Sequence, residues 1–406
     1  MLLLSVLCIV CLGNEARVIR AEWSKKLFPL LAAGALLYAV AVLTMVLGDM
    51  LTGHSAKWPL KIHNFSNRRF LNQWQSWLLP LLPILLYAHV PKCRRLYSGV
   101  LFFVVFALLW AMLAYSLGRA AVYAQLGLVF IMPLLFGRRA FFWLSVQVAA
   151  AMLGVLFCVT LLGFNFFDPA IEAPVGRLAS FEDQPRLQLL MLSALFIKES
   201  PLLGIGPMQF ASVQNFIAAH PHNALFQLAA EWGLPATLAF GVLVAWPFLH
   251  WLRFACQKVR SEAVGHEESW LIMSLTASML AAGAHSMVSG IIVMPMSLIM
   301  MVIVVGLAFA VYRAHNPRQF LYSKVVLVPA GLISVGLSLY LGVFTLVEAS
   351  RLARYDEVGH PLLVTHLQPR YWQQGNLFHL MADDPRVFPR SQATVMPEEL
   401  LKDPFE

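Results

Sequence analysis

An all-α polytopic membrane protein is what this sequence predicts, and three observations carry the prediction. First, 59% of the 406 residues are hydrophobic and only 12% are charged, with a mean hydropathy of +0.71. That is too little polar material to cover a soluble globule. Second, the apolar residues come in runs of roughly 20, the length an α-helix needs to cross about 30 Å of hydrocarbon. Third, lysine and arginine concentrate in alternate connections between these runs. About ten transmembrane helices are expected, with one long extramembrane loop that contains short helices.

Nine full-length runs lie near 27–50, 73–90, 96–117, 120–136, 140–164, 234–254, 270–291, 295–313 and 325–347. Met1 to Leu12 is apolar but too short to span without help, and it lacks the basic start of a signal peptide. With strict alternation, one side collects Arg17, Arg20, Lys25 and Lys26; Lys92, Arg94 and Arg95; Arg138 and Arg139; Arg253, Lys258 and Arg260; and Arg313, Arg318 and Lys324. All of these sit in short loops, so this side is cytoplasmic by the positive-inside bias. The other side holds Lys57, Lys61, Arg68 and Arg69, then Arg119, then Arg177, Arg186 and Lys198. The net charge of +8 is therefore mostly an orientation signal and not a nucleic-acid patch. The expected organisation is transmembrane helices over 1–164, an outside loop over 165–233, helices over 234–347, and a tail over 348–406 whose last stretch reads as disordered. Cys8, Cys11, Cys93, Cys158 and Cys256 fall in membrane segments or cytoplasmic loops, which implies no disulfide framework outside.

The first polar stretch is Ile62 to Pro83, where Arg68, Arg69, Asn72, Gln73, Trp74, Gln75 and Trp77 give the composition of a membrane interface. Two readings stand: an aromatic belt with snorkelling arginines, or contacts to a polar head group or sugar. Arg119 lies in SLGRAA, between two apolar runs with almost no loop. An arginine at a helix centre costs about 2.5–3.5 kcal/mol on insertion scales, so this one either snorkels to water or faces a cavity and pairs with an anion. Farther on, Arg186 follows Pro185 and opens an apolar helix that stops at Ser200-Pro201, with Arg177 a second cation upstream.

Pro201 to Gly233 concentrates the chemistry. Gly204-Ile205-Gly206-Pro207 makes a turn whose glycines permit close backbone approach. Without a P-loop or dinucleotide-fold context it implies no nucleotide. His220-Pro221-His222-Asn223 precedes an amphipathic run that contains Glu231 and is closed by Gly233. As a metal site the pair has only His285 as a further histidine near the outer face, so no metal is expected. A general base suits it better, because imidazole titrates near neutrality. His285, in AAGAHSMVSG, is an ionisable group inside a membrane run. It is either functional or a neutral histidine bonded to Ser286 or a backbone carbonyl.

These residues resemble the O-antigen ligase and O-oligosaccharyltransferase superfamily of bacterial inner-membrane glycosyltransferases. The superfamily's pattern is an arginine ahead of an apolar helix, a Pro-Leu-Leu-Gly-x-Gly-Pro stretch, and His-Asn with a glycine after nine intervening residues. Here these are Arg186, Pro201 to Pro207, and His222-Asn223 with Gly233. Arg119 in SLGRAA is similar to an upstream arginine motif with its order changed, and residues 69–73 are similar to a looser Arg-Phe-x-Asn-Gln motif. Ala236 departs from the Gly, Thr or Tyr the family often places there.

The resemblance implies transfer of a glycan from undecaprenyl diphosphate to an acceptor hydroxyl at the periplasmic face, without a nucleotide sugar, cofactor or metal. It implies Arg186 and Arg119 on the diphosphate, with Arg177, Arg68 and Arg69 as lesser candidates. His222 is then the base, assisted by Asn223. Asn72, Gln73, His220, Gly204, Gly206 and His285 are possible substrate contacts. The acceptor is lipid A-core in a ligase, a protein Ser or Thr in an O-oligosaccharyltransferase, and the growing glycan in a polymerase; the ligase reading ranks first. A reading from another class, a transporter of polyprenyl-phosphate glycan, predicts internal repeats and midplane breaks. No repeat is found, and the polar residues gather at one face.

Overall fold

The computed structural model describes residues 30–31, 33–45, 48, 51–52, 68–81, 83–84, 95–161, 184–207, 209–212, 218, 220–316 and 336. Among the described residues every regular element is a helix. In chain order these are α1 (Ala33–Met45), then α2 (Arg68–Leu78), a 3-10 turn at Leu79–Leu81, α3 (Arg95–Ser116), α4 (Arg119–Phe136) and α5 (Arg139–Thr160). Then come α6 (Gln184–Glu199), a 3-10 turn at Gln209–Ser212, α7 (Ala224–Arg260), α8 (His266–Ser286) and α9 (Pro295–His315).

Among the described residues five helices are long and apolar enough to cross a membrane: α4, α5 and α7 whole, and α3 and α9 over Gly99–Ser116 and Met296–His315. They fall on the runs expected at 96–117, 120–136, 140–164, 234–254 and 295–313. α1 is apolar but shorter. α8 lies on most of the run expected at 270–291, and its Glu267, Glu268, His285 and serines keep it outside the five. The run at 325–347 except residue 336, Arg177, the side chain of Arg68 and the tail all lie outside the described residues.

The chain forms two compact units, one from 1–182, 247–285 and 294–327, the other from 183–246, 286–293 and 328–406. In the first unit the element that departs most from expectation is α2. Its polar composition suggests an interfacial position, yet Leu71 through Leu81 is buried throughout. The reason is hydrogen bonding. In hydrocarbon a polar side chain is satisfied best by another helix, and α2 is bonded on several sides. Gln75 Nε2 donates to the Leu109 carbonyl on α3 (2.8 Å), and Trp77 Nε1 donates to Ser297 on α9 (2.9 Å). Ser278 on α8 donates to the Trp77 carbonyl (2.6 Å), and Gln147 on α5 donates to the Leu79 carbonyl (3.0 Å). The α-helix gives way to a 3-10 turn at Leu79–Leu81, where Pro80 has no N–H to continue the ladder.

A small residue sets one close helix contact in this unit. A Cβ on Gly154 of α5 would lie 2.7 Å from the Ala107 carbonyl oxygen and 2.9 Å from the Ala111 amide nitrogen, both backbone atoms of α3. Backbone cannot swing aside, so Gly154→Leu must push α3 and α5 apart. Overpacking of this kind costs about 1–3 kcal/mol, and a thermal-shift assay in detergent should show a lowered midpoint. At the helix ends, Arg260 Nε donates to the Leu135 carbonyl (2.8 Å), tying the last carbonyls of α4. Arg139 pairs with Glu262 (2.7 Å) and His315 with Glu268 (2.8 Å).

Candidate functional site

The second unit is built around a break in α7. Residues 224–260 are helical except at Gly233, whose φ of 82° and ψ of 167° turn the backbone out of the helix. Gly233 was expected to close its helix; instead it kinks a helix that continues to Arg260. In an unbroken helix the Glu231 carbonyl would accept from residue 235, but residue 235 is proline and has no N–H. The Pro201–Pro207 turn supplies the missing partners. Ile205 N–H donates to the Ala230 carbonyl (2.8 Å) and Gly206 N–H to the Glu231 carbonyl (3.0 Å), while Leu234 N–H donates back to the Pro201 carbonyl (2.8 Å).

This clasp explains two glycines that press directly on backbone. A Cβ on Gly204 (φ 69°) would sit 2.4 Å from the Glu231 carbonyl carbon, and one on Gly233 would sit 2.2 Å from the Leu202 oxygen. Ser200 closes the turn from outside, its Oγ donating to the Gly204 carbonyl (2.8 Å) and its carbonyl accepting from Gly204 N–H (3.0 Å). Gly204 is therefore held between Ser200 and α7, with its backbone facing the helix.

α6 carries Arg186 in its first turn. Leu189, Leu192 and Phe196 recur at helical spacing and pack with Phe210, Ala218 and Ala230, so α6, the 3-10 turn and α7 share one apolar core. Arg186 lies one turn before Leu189 on the same face and is half-buried. The opposite stripe of Leu187, Met191 and Leu195 is exposed. This gives the helix a buried and an exposed apolar face, as suits a segment lying in or against a bilayer.

At the start of α7, Asn223 is the N-cap. Its Oδ1 accepts from the Leu225 and Phe226 amides (3.0 Å each), and its Nδ2 donates to the Met287 carbonyl (2.9 Å). The amides of Leu225 and Phe226 in the first turn of α7 are thus already taken. His222 comes immediately before the cap with φ at 56°. This left-handed conformation is uncommon outside glycine and persists where the surroundings enforce it. The His222 ring is half-buried and meets the ring of His220 edge-on, with centroids 4.2 Å apart at 63°. His220 is 5% exposed and seats against Gly290, where a Cβ would fall 1.8 Å from its Nε2. Glu231 is 2% exposed between the cap and the kink.

The other predicted residues lie in the first unit. Arg119 begins α4 after a two-residue connection from α3 in which Leu117 is left-handed (φ 50°). Asn72 sits beneath that connection: Ser116 Oγ donates to its Oδ1 (2.8 Å), and a Cβ on Gly118 would fall 1.9 Å from its Nδ2. Asn72, on α2, therefore packs against the connection that leads into Arg119, and exposed Arg69 is one helical turn before Asn72. Gln73 is buried. His285 is buried within the helices of its unit, its Nδ1 2.7 Å from Ser76 Oγ. Among the described residues no group of three His, Cys, Asp or Glu side chains is arranged to hold a metal.

Reasoning from sequence missed the stretch 286–293. It contributes the Met287 carbonyl that holds Asn223 and the Gly290 seat of His220. The only local hint was its serine and glycine content beside His285.

Residues 102–241 match the family model described as O-antigen ligase, which supports a place for the chain in the O-antigen ligase superfamily. A search of curated proteins found no match. The matched span takes in Arg119, Arg186, the Pro201–Pro207 turn, His222-Asn223 and Gly233, and ends before α8.

Proposed function

We propose that this chain, with its O-antigen ligase match over residues 102–241, is a glycosyltransferase that moves a glycan from undecaprenyl diphosphate to a hydroxyl of lipid A-core. The reaction takes place at the periplasmic face of the bacterial inner membrane. The observation that carries this reading is the shared core of α6 and α7. It joins the arginine-bearing helix and the helix begun by His222-Asn223 into one unit, which is what a cation on the leaving group and a base on the nucleophile require.

In this mechanism His222 takes the proton of the acceptor hydroxyl, and the acceptor oxygen attacks the anomeric carbon of the first sugar. The bond from that carbon to the diphosphate oxygen breaks, and its electron pair leaves with the diphosphate. A single displacement of this kind inverts the anomeric centre. Guanidinium groups meet the developing charge, since arginine presents two parallel N–H donors to phosphate oxygens. Arg186 and Arg119 serve first, with Arg177, Arg68 and Arg69 as lesser candidates. No metal or cofactor takes part. Asn223 acts as the cap that fixes where His222 stands.

Incubation of the purified protein in detergent with undecaprenyl-diphosphate glycan and lipid A-core tests the reading. Free carrier and glycosylated lipid A-core are expected. An intact donor would favour the transporter reading, while transfer only to a pilin-type peptide or only to another glycan would reassign the acceptor. Arg186→Ala should lower kcat/KM by about 10²–10³-fold. Arg186→Lys should recover only part of it, because lysine keeps the charge but not the paired donors. A wild-type kcat/KM in Arg186→Ala would remove that residue from the site.

A further inference from the structure

The histidine pair is assembled by a piece of chain far from it in sequence and outside the span matched to the family. Asn223 Nδ2 bonds the Met287 carbonyl across 64 positions (2.9 Å). The buried His220 ring lies so close to Gly290 that a Cβ there would meet its Nε2 at 1.8 Å, its Cδ2 at 2.4 Å and its Cε1 at 3.0 Å. Gly290 is not among the glycines with positive φ, so its backbone suits any L-residue. Its lack of a side chain serves the contact with His220, not a turn. His220 in turn meets the His222 ring with centroids 4.2 Å apart. Two ties from one loop therefore bear on His222: one through the cap that follows it, the other through the ring beside it.

We infer that residues 286–293 form a wall of the catalytic site and that Gly290 and His220 are positioning residues, holding the His222 imidazole in the orientation that accepts a proton. This deepens the proposed function and rests on it, because it takes His222 as the base. The physical need is plain. A φ of 56° is an uncommon backbone conformation for a histidine, and a general base must stand within hydrogen-bond reach, about 2.6–3.2 Å, of the proton it takes. His220, packed on Gly290, supplies the second surface.

The test uses the full chain with Gly290→Ala, His220→Ala and the double variant. A displacement of about 1 Å at a catalytic group lowers turnover about 100-fold, and that fall in kcat is expected for Gly290→Ala, with the KM for the lipid-linked donor nearly unchanged. The double variant removes the ring that the methyl group strikes. It should regain the wild-type melting temperature yet turn over no faster than His220→Ala alone, which separates loss of position from loss of fold.

A second readout does not depend on transfer. Diethyl pyrocarbonate labelling, read at each histidine by peptide mass spectrometry, should be slow at His220 in the wild type. In Gly290→Ala it should be severalfold faster there and altered at His222. Wild-type kcat in either single variant, or unchanged labelling of both histidines in Gly290→Ala, would overturn the inference. Should the wild type transfer no glycan at all, the proposed function fails, and the labelling alone still decides whether Gly290 orders the pair.

Discussion

His222→Asn turns over about 10²–10⁴-fold more slowly than the wild type, the range lost when a general base is removed. Asparagine is the informative replacement. At φ 56° most residues are strained, and asparagine is among those that tolerate the left-handed region best, so the substitution takes away the imidazole with little disturbance of the backbone. The melting temperature and binding of the lipid-linked donor should hold, since the cation on the diphosphate is assigned to Arg186 on another helix. The measurement is single-turnover release of the carrier from a radiolabelled donor, with His222→Ala run beside it. A wild-type rate in either variant would end the assignment of His222 as base. A fall in rate that tracks a fall in melting temperature would mark it as structural.

Gly233→Ala should be nearly as damaging, through folding. Its methyl group would lie 2.2 Å from the Leu202 oxygen and 2.8 Å from the Leu203 nitrogen. Both are backbone atoms of the turn whose amides satisfy the carbonyls freed at the kink. The residue would also hold a φ of 82°, which suits glycine alone. Strain and overpacking together come to about 3 kcal/mol, a large part of the stability of an ordinary domain. Gly204→Ala breaks the same clasp from its other side, against the Glu231 carbonyl. The two substitutions should therefore be less than additive when combined. Thermal unfolding in detergent of the two single variants and the double reads this directly, and a wild-type midpoint in Gly233→Ala would refute the clasp.

The legible part of the fold was the part written in runs of like residues. Five apolar runs became five helices able to cross a membrane, because a spanning helix satisfies its own backbone and needs only length and hydrophobicity. α6 was legible at both ends, from Pro185 and from Ser200-Pro201. α2 was not: its Arg, Asn, Gln and Trp composition is the same whether the helix lies at an interface or inside a bundle. Only the donors and acceptors that α3, α5, α8 and α9 present to it distinguish the two.

By itself the sequence determined the helical class and the positions of five long apolar helices, and it offered histidine and arginine side chains for the proposed base and phosphate cation. It also placed Pro201–Pro207, His222-Asn223 and Gly233 close together along the chain. The tertiary structure alone decided how these pieces depend on one another. Pro235 and the Gly233 kink free carbonyls that the glycine turn must answer. The Asn223 side chain is spent on the cap and on Met287. Gly290, outside the span matched to the family, makes room for the histidine that leans on His222. The reason is physical: hydrophobicity and helical period are properties of neighbours in sequence, whereas the satisfaction of a freed carbonyl and the space beside a buried ring are set by chain segments that meet only on folding.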